Sequence, residues 1–449
     1  MTSLSRFAPS PTGFLHVGNI RAAIINFLYA KKTKGKFMLR LDDTDASRIK
    51  DEYRDMILQD MAWLELDYDM FVKQSDRLQE YEESKNLLIK SGRLYECYES
   101  AQELELQRKS QSLSGIAPIY DRNALNLTDE QKESLRAQGL KPYYRFLLKD
   151  QKISWDDKIK GKIEYKGLHF SDPVLVRDNG VPTYTFCSVI DDLEFGVTDI
   201  IRGEDHITNT AIQIQIFEAL IEAGFKGKVP EFAHLALVKA LDGKISKREG
   251  GFDVKTLREQ GIEALSVILL LSQIGTSKSL EIYKNLDELI ANFDFSNFSK
   301  SSTKYDLEMV KDINQKLLQT IDFTYISKRL QELNLSVIDE GFWNKFKSNI
   351  QILSEIEKWW QICKKEFRYQ NDTMDKEFLE IAASKLPQDS GDENSWQKWQ
   401  EEIKKNSPRK GKELFMPIRL ALTGEERGVE MKHLMNAISR SEILARLRN

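Results

Sequence analysis

The sequence predicts an α/β fold whose remainder, beyond Phe252, is helical. Three observations carry this. Leu4 to Ala8 reads as a short buried strand, stopped by Pro9, Pro11 and Gly13, and helical spacing of Ile20, Ala23, Ile24, Phe27 and Leu28 follows it. Further apolar strands are read at Lys36–Leu41, Val197–Arg202 and Phe232–Val238, separated by amphipathic helical stretches. After Phe252 the pattern is almost entirely helical.

The strand, tight turn and helix start at residues 4–32 form a natural anion site. A helix beginning just after Asn19 offers unpaired N–H groups and a positive dipole end. Gly13 and Gly18 let a ligand approach the backbone, and His16 adds a side-chain donor. The second strand ends in Asp42-Asp43-Thr44-Asp45, at the carboxyl edge where doubly wound sheets bind ligands. A solvated loop whose Asp45 or Ser47 caps the next helix is the competing reading. Helices are expected from about Lys50 to Leu66 and from Asp76 to Ser91, the second closed by Gly92. From about 94 to 187 short alternating runs, such as Tyr143–Leu148 and Lys162–Lys166, point to an α+β insert. The strand ending at Arg202 leads through a polar loop, Gly203-Glu-Asp-His206, into a helix from Ala211 to Ala223. Arg202 stands where a guanidinium can fork onto a carboxylate, of a ligand or of the protein itself. The strand from Phe232 runs into Lys244-Ile-Ser-Lys247-Arg248, a cationic Gly-flanked loop suited to triphosphate, although most such runs are basic surface turns. Helices are read at Val254–Leu271 and Ser279–Phe293, then from about Phe323 to a closing helix, Met431–Arg448.

Composition sets the outer bounds. At 449 residues the chain has room for two to four domains, and 41% hydrophobic with 30% charged residues is an ordinary globular balance. A net charge of −4 gives no global reason to expect nucleic acid, so any such binding must rest on local basic surface. Cys97, Cys187 and Cys363 are too far apart to suggest a disulfide framework, which fits a reducing cytoplasm. The start lacks an apolar signal core, and the aliphatic run Val267–Leu271 is far too short for a bilayer.

The residues His16-Val17-Gly18-Asn19 resemble the HIGH signature of class I aminoacyl-tRNA synthetases, and Lys244–Arg248 resembles their KMSKS signature. Arg6-Phe-Ala-Pro-Ser-Pro-Thr-Gly13 and the closing Met416–Gly424 are similar to the bacterial-type glutamyl-tRNA synthetases in particular, so the resemblance spans nearly the whole chain. It implies a Rossmann-type class I catalytic domain in two halves, 1–93 and 188–251, split by an acceptor-binding insert at 94–187. A helical stem-contact domain at 252–322 and an all-helical anticodon-binding domain at 323–449 follow. The implied activity joins L-glutamate to tRNA-Glu through glutamyl-adenylate, with tRNA-Gln left open, in a cytoplasmic monomer.

The resemblance also assigns residues. His16, Lys244 and Lys247 would be catalytic. Pro11, Gly13, Gly18, Asn19, Asp205, Ser246 and Arg248 would join them around ATP, with Glu204 and His206 nearby. Arg6, Ala8, Ser10, Asp42, Tyr184, Ser188 and Arg202 would hold glutamate. ATP would enter with Mg2+ as substrate. Three positions depart from the family pattern: Asp42 replaces a longer Glu, Ser188 a frequent Asn, and Asn19 the second His, which removes any cationic role there. Some relatives carry a zinc knuckle built on a Cys-x-Cys pair, but here Glu99 follows Cys97, so no zinc is expected. A glutaminyl enzyme of the same superfamily and a non-catalytic tRNA-binding paralogue remain open alternatives.

Overall fold

The structure, a computed structural model, describes residues 2–45, 48–115, 117–166, 170–240, 253–365, 367–368, 375–389 and 394–449. The chain forms two compact units. One comprises Met1–Thr256, Ile268–Glu281 and Asn285–Asp306; the other comprises Leu257–Val267, Ile282–Lys284 and Leu307–Asn449.

The first unit begins with β1 (Leu4–Phe7), α1 (Val17–Lys32), β2 (Lys36–Leu41), α2 (Asp51–Trp63), β3 (Met70–Lys73) and α3 (Leu78–Lys90). An α+β stretch follows: β4 (Leu94–Cys97), α4 (Ala101–Leu113), α5 (Asp129–Ala137), β5 (Tyr143–Phe146), β6 (Lys152–Asp157), β7 (Gly161–Lys166) and β8 (Val174–Val176). The chain then forms α6 (Tyr184–Glu194), β9 (Asp199–Gly203), α7 (Ile207–Glu222), β10 (Glu231–Leu235) and β11 (Val238–Ala240). The main sheet is parallel, in the order β10-β9-β1-β2-β3. Chain order therefore runs outward in both directions from the β1/β9 pair, and the crevice at their carboxyl ends is where such sheets bind ligands. Strands β4, β5 and β8 form an antiparallel sheet, and β6 and β7 form a hairpin.

Both faces of the parallel sheet are covered, which is why its strands read as continuous apolar runs rather than alternating ones. On one face Ile20, Ile24 and Phe27 of α1 are buried, Phe27 edge-on to Phe37 of β2. On the other, Met38, Ile200 and Phe232 join Phe186, Ile190 and Phe217 of α6 and α7 in one core. Each such side chain contributes about 2 kcal/mol by leaving water.

Helix α1 starts at Val17, earlier than apolar spacing alone suggests, because His16 caps it. The His16 Nδ1 accepts the Gly18 N–H at 3.1 Å, and the Asn19 side-chain oxygen accepts the His16 N–H at 3.4 Å. The stretch read as one helix over 254–271 is two, α8 (Val254–Glu259) and α9 (Ala264–Gln273), parted at Gly261, whose φ of 78° suits glycine. The stretch 279–293 is helical only in α10 (Leu286–Asn292), where Asn285 caps the start. Helix α2 has no side-chain cap; Lys50 occupies its N-cap position.

In the second unit, helices from Leu307–Thr320 to Arg440–Leu447 enclose a core that contains Trp343, Trp359 and Trp399. Trp360 packs against that core edge-on to Phe342. The expected closing helix is interrupted: Ser439 caps a fresh one at Arg440–Leu447.

Candidate active site

At the β1/β9 crevice lies a cleft of about 430 Å³. Arg6, Ala8, His16, Gly18, Asn19, Tyr184, Arg202 and Asp205 line it, so eight of the thirteen assigned site residues that the structure describes meet in one place. Pro11, Gly13 and Ser10 lie on the loop before His16 but do not line the cleft. Lys244, Ser246, Lys247 and Arg248 fall outside the described residues. The described chain on either side of them does border the site. Val238 lines the cleft, and the Asp253 backbone forms an antiparallel bridge with His16.

The amino end of α1 faces the cleft with an exposed His16. Because Nδ1 accepts the Gly18 N–H, a neutral ring carries its proton on Nε2. Gly18 sits against the ring: a Cβ there would lie 3.1 Å from His16 Cε1. On the opposite wall His206 is held neutral, its pKa pushed down to about 4 by burial and by Arg202 and Arg6. Arg21, absent from the sequence-based set, also lines the cleft. Its buried guanidinium donates to the carbonyls of Ala236, Leu271 and Ile274, tying α1 to the end of α9.

Beneath the cleft lies a buried ionic network that sequence reasoning did not find. Arg40, fully buried in β2, donates to Asp42 at 2.7 Å and Asp192 at 2.8 Å, and stands 3.5 Å from Asp191. Arg6 donates to Asp192 at 3.2 Å. Arg77, Gln74 and Tyr81 donate to Asp191 at 2.9, 2.7 and 3.0 Å. Ser188 accepts from Arg40 at 3.2 Å and donates to Asp42 at 3.5 Å. Asp42 and Ser188 are thus turned away from the cleft into this network and do not line it. The available signal was the set of charged residues inside apolar segments: Arg40 in a buried strand, and Asp191-Asp192 in the apolar helix α6.

Arg202 differs from Arg6 and Arg40. Its Nη2 donates to Thr210 and Gln213, both at 2.6 Å, and its Nη1 to Tyr184 at 3.3 Å. Its Nε is buried and has no partner. No carboxylate among the described residues forms an ion pair with it. Burial, with Arg6 nearby, pulls its pKa below the ordinary arginine value. A buried cation in this condition at a cleft wall is a receptor for an anion.

A parallel-sheet crevice holding a helix N-terminus on one side and an unneutralised guanidinium on the other suits a nucleotide beside a small acid. Comparison with known families agrees. A model described as "tRNA synthetases class I (E and Q), catalytic domain" matches residues 4–312, and an anticodon binding domain model matches residues 340–449. The chain belongs to the class I tRNA synthetases. Within that class it is 49% identical over 446 residues to glutamate–tRNA ligase 2 of Rickettsia canadensis (strain McKiel), covering 99% of each chain. It is 48% identical over 445 residues to glutamate–tRNA ligase 1 of Rickettsia massiliae (strain Mtu5), covering 99% of this chain and 98% of the relative. The solved glutamate-tRNA synthetase of Elizabethkingia anophelis superposes with a TM-score of 0.81 at 26% identity, over 100% of this chain and 99% of that one.

The network generates one pH prediction. Burial raises the Asp42 carboxyl to about 6, even beside Arg40, which Asp191 and Asp192 share. A carboxyl whose folded pKa is raised contributes stability below its unfolded pKa and loses it as pH rises through 6. Asp42→Asn lacks that titration. Wild-type stability relative to Asp42→Asn should therefore fall by about 1 kcal/mol between about pH 5 and about pH 7. Urea unfolding at both pH values measures this. A gap that does not change with pH would place the Asp42 pKa in the ordinary carboxylate range.

Proposed function

We propose that this chain is a glutamate–tRNA ligase: it activates L-glutamate with ATP to glutamyl-adenylate and transfers the glutamyl group to the terminal ribose of tRNA-Glu. The single observation that carries the choice of amino acid is the buried, carboxylate-free guanidinium of Arg202 at the cleft wall. An acid side chain neutralises it, whereas glutamine would leave it charged and dry. Arg6, already paired with Asp192, adds a second cation for the substrate's carboxylates, and Tyr184 and Ala8 complete the pocket.

ATP is the second substrate, entering with magnesium on its phosphates. The phosphates lie at the amino end of α1, where backbone N–H groups, His16 Nε2 and the Asn19 amide are donors. The α-carboxylate of glutamate attacks the α-phosphorus in line, and pyrophosphate leaves. Lys244 and Lys247 neutralise that pyrophosphate, with Ser246 and Arg248 beside them; the flanking Val238 and Asp253 border the same cleft. Positioning and charge stabilisation supply most of the rate. In the second step the ribose hydroxyl attacks the adenylate carbonyl and AMP leaves. The α+β stretch over 94–187 is assigned to the acceptor end of tRNA, 252–322 to its stem, and 323–449 to the anticodon. No helix among the described residues is long and apolar enough to cross a membrane, and we place the enzyme in the cytoplasm.

Zinc does not fit the residues around Cys97. Burial pushes that thiol up to about 12, and Sγ lies 3.6 Å from the Tyr120 hydroxyl. The two oxygens of Glu99 accept from Tyr120 at 2.5 Å and Tyr143 at 3.0 Å. No step is assigned to zinc.

The test is charging of total bacterial tRNA with labelled glutamate or glutamine in the presence of ATP and magnesium. Glutamate on tRNA-Glu is expected, with tRNA-Gln as the measured alternative acceptor; glutamine in place of glutamate overturns the reading. Arg202→Ala should raise the KM for glutamate roughly a hundredfold, the scale of a lost charged hydrogen bond, and leave the KM for ATP within about twofold. Gly18→Ala should slow ATP–pyrophosphate exchange about tenfold or more, because the new methyl displaces the His16 ring. Exchange at the wild-type rate would remove ring placement from the mechanism.

A further inference from the structure

The guanidinium of Arg202 is held from behind by a chain of buried groups that starts outside the parallel sheet. Arg202 on β9 and His234 on β10 are register partners on adjacent strands. His234 is fully buried, beside Phe232 and Trp155. Its Nδ1 lies 2.5 Å from Oδ2 of Asp157, the last residue of β6, and its Nε2 lies 2.9 Å from Oγ1 of Thr210. Thr210 Oγ1 in turn accepts from Arg202 Nη2 at 2.6 Å.

The directions of these bonds are set from one end. Oδ1 of Asp157 accepts three backbone N–H groups, those of Ile159 at 3.0 Å, Lys160 at 2.9 Å and His234 at 3.1 Å. These donors favour the carboxylate, and the Asp157 pKa lies below its ordinary value although burial opposes this. A fixed carboxylate at 2.5 Å requires the proton on His234 Nδ1. Burial keeps the ring neutral, so Nε2 presents a lone pair. Thr210 donates its hydroxyl hydrogen to that lone pair, which leaves its oxygen lone pairs for Arg202. Gln213 fixes the same Nη2 from the other side. Nε is left without a partner by this clamp.

We propose that Asp157, His234 and Thr210 form a positioning chain that fixes the Arg202 guanidinium for the substrate carboxylate, so that the β6–β7 hairpin contributes to amino-acid selection. The inference rests on Arg202 being the receptor for that carboxylate. None of the three touches substrate; they act through Arg202.

The chain is tested by three variants measured beside Arg202→Ala in the aminoacylation assay. In Asp157→Asn the amide oxygen keeps the backbone donors and turns an NH2 toward His234 Nδ1. This forces the proton to Nε2 and opposes an N–H to Thr210. The glutamate KM should rise about tenfold, with the ATP KM within about twofold and kcat within about threefold. Nitrogen-15 NMR of the His234 ring should report the switch from Nδ1–H to Nε2–H. Thr210→Val should raise the glutamate KM similarly, while Thr210→Ser should keep it at the wild-type value. If Arg202→Ala raises the glutamate KM but Thr210→Val and Asp157→Asn do not, the positioning chain is overturned and the role of Arg202 stands. Parallel rises in the glutamate and ATP KM values in the variants would also overturn it, as a merely structural effect. If Arg202→Ala itself leaves the glutamate KM unchanged, the carboxylate reading fails and the chain with it.

Discussion

The site depends on the ionic network centred on Arg40. A guanidinium in the middle of a buried strand is tolerated only if its charge is answered, and here Asp42, Asp191 and Asp192 answer it. Those aspartates come from both sides of the insert, so the network joins β2 to α6, with Arg6 bringing in β1 and Arg77 the start of α3. Removing one partner from such a set leaves a buried charge and costs about 3–5 kcal/mol, more than any single apolar contact in the core. The two groups of strands in the parallel sheet, β1–β3 ending at Lys73 and β9–β10 beginning at Asp199, are fixed to each other by these bonds as well as by the β1–β9 pairing.

Arg6, Arg40 and Arg202, all buried at or beneath one cleft, do different things. Arg40 is neutralised on all sides and turned inward. Arg6 directs Nε and Nη2 to Asp192 and still lines the cleft. Arg202 meets hydroxyl and amide oxygens, neutral acceptors that orient it without cancelling its charge. Under the proposed function, selectivity for an acid arises from the partners an arginine lacks as much as from its presence. The turning of Asp42 toward Arg40 shows the other side of this. Its short side chain forms a 2.7 Å bond to its strand neighbour Arg40, so its charge serves the framework of the pocket.

Much of the fold was legible because apolar period and strand-ending prolines and glycines report directly on burial. Strand β2 is found at its predicted limits, and α1 within two or three residues. Helix ends were harder. Gly261 and Ser439 break stretches whose apolar spacing continues across them, since spacing records which face is buried and not where the backbone turns. The cleft residues were legible through resemblance, because each carries recognisable chemistry. The groups behind them were not. Arg40, Asp191, His234 and Asp157 are far apart in sequence, and nothing in a lone buried charge names its partner. A usable sign was nevertheless present: an ionisable residue inside an apolar run is costly, so its partner must be near.

The amino end of α1 shows how a departure from a motif changes its physics. Asn19 first reads as a weakened imidazole, a donor that has lost its charge. In the fold it closes a capping box with His16. The familiar signature of such a box is Ser or Thr followed by Glu or Gln, so the pair His-x-x-Asn does not announce itself. With Asn19 as the cap partner, His16 takes one backbone orientation, and its Nδ1 bond to Gly18 sets one tautomer. The anion site therefore consists of neutral, oriented dipoles: helix N–H groups, the His16 Nε2–H and the Asn19 amide. Such donors need not reorganise as charge develops on a phosphate, which is how preorganised dipoles stabilise a transition state. Among the described residues of the cleft, full positive charge comes from side chains outside the helix end, Arg6 and Arg202. Orientation and charge are supplied by separate elements, and loss of the second imidazole leaves the oriented half of the site intact.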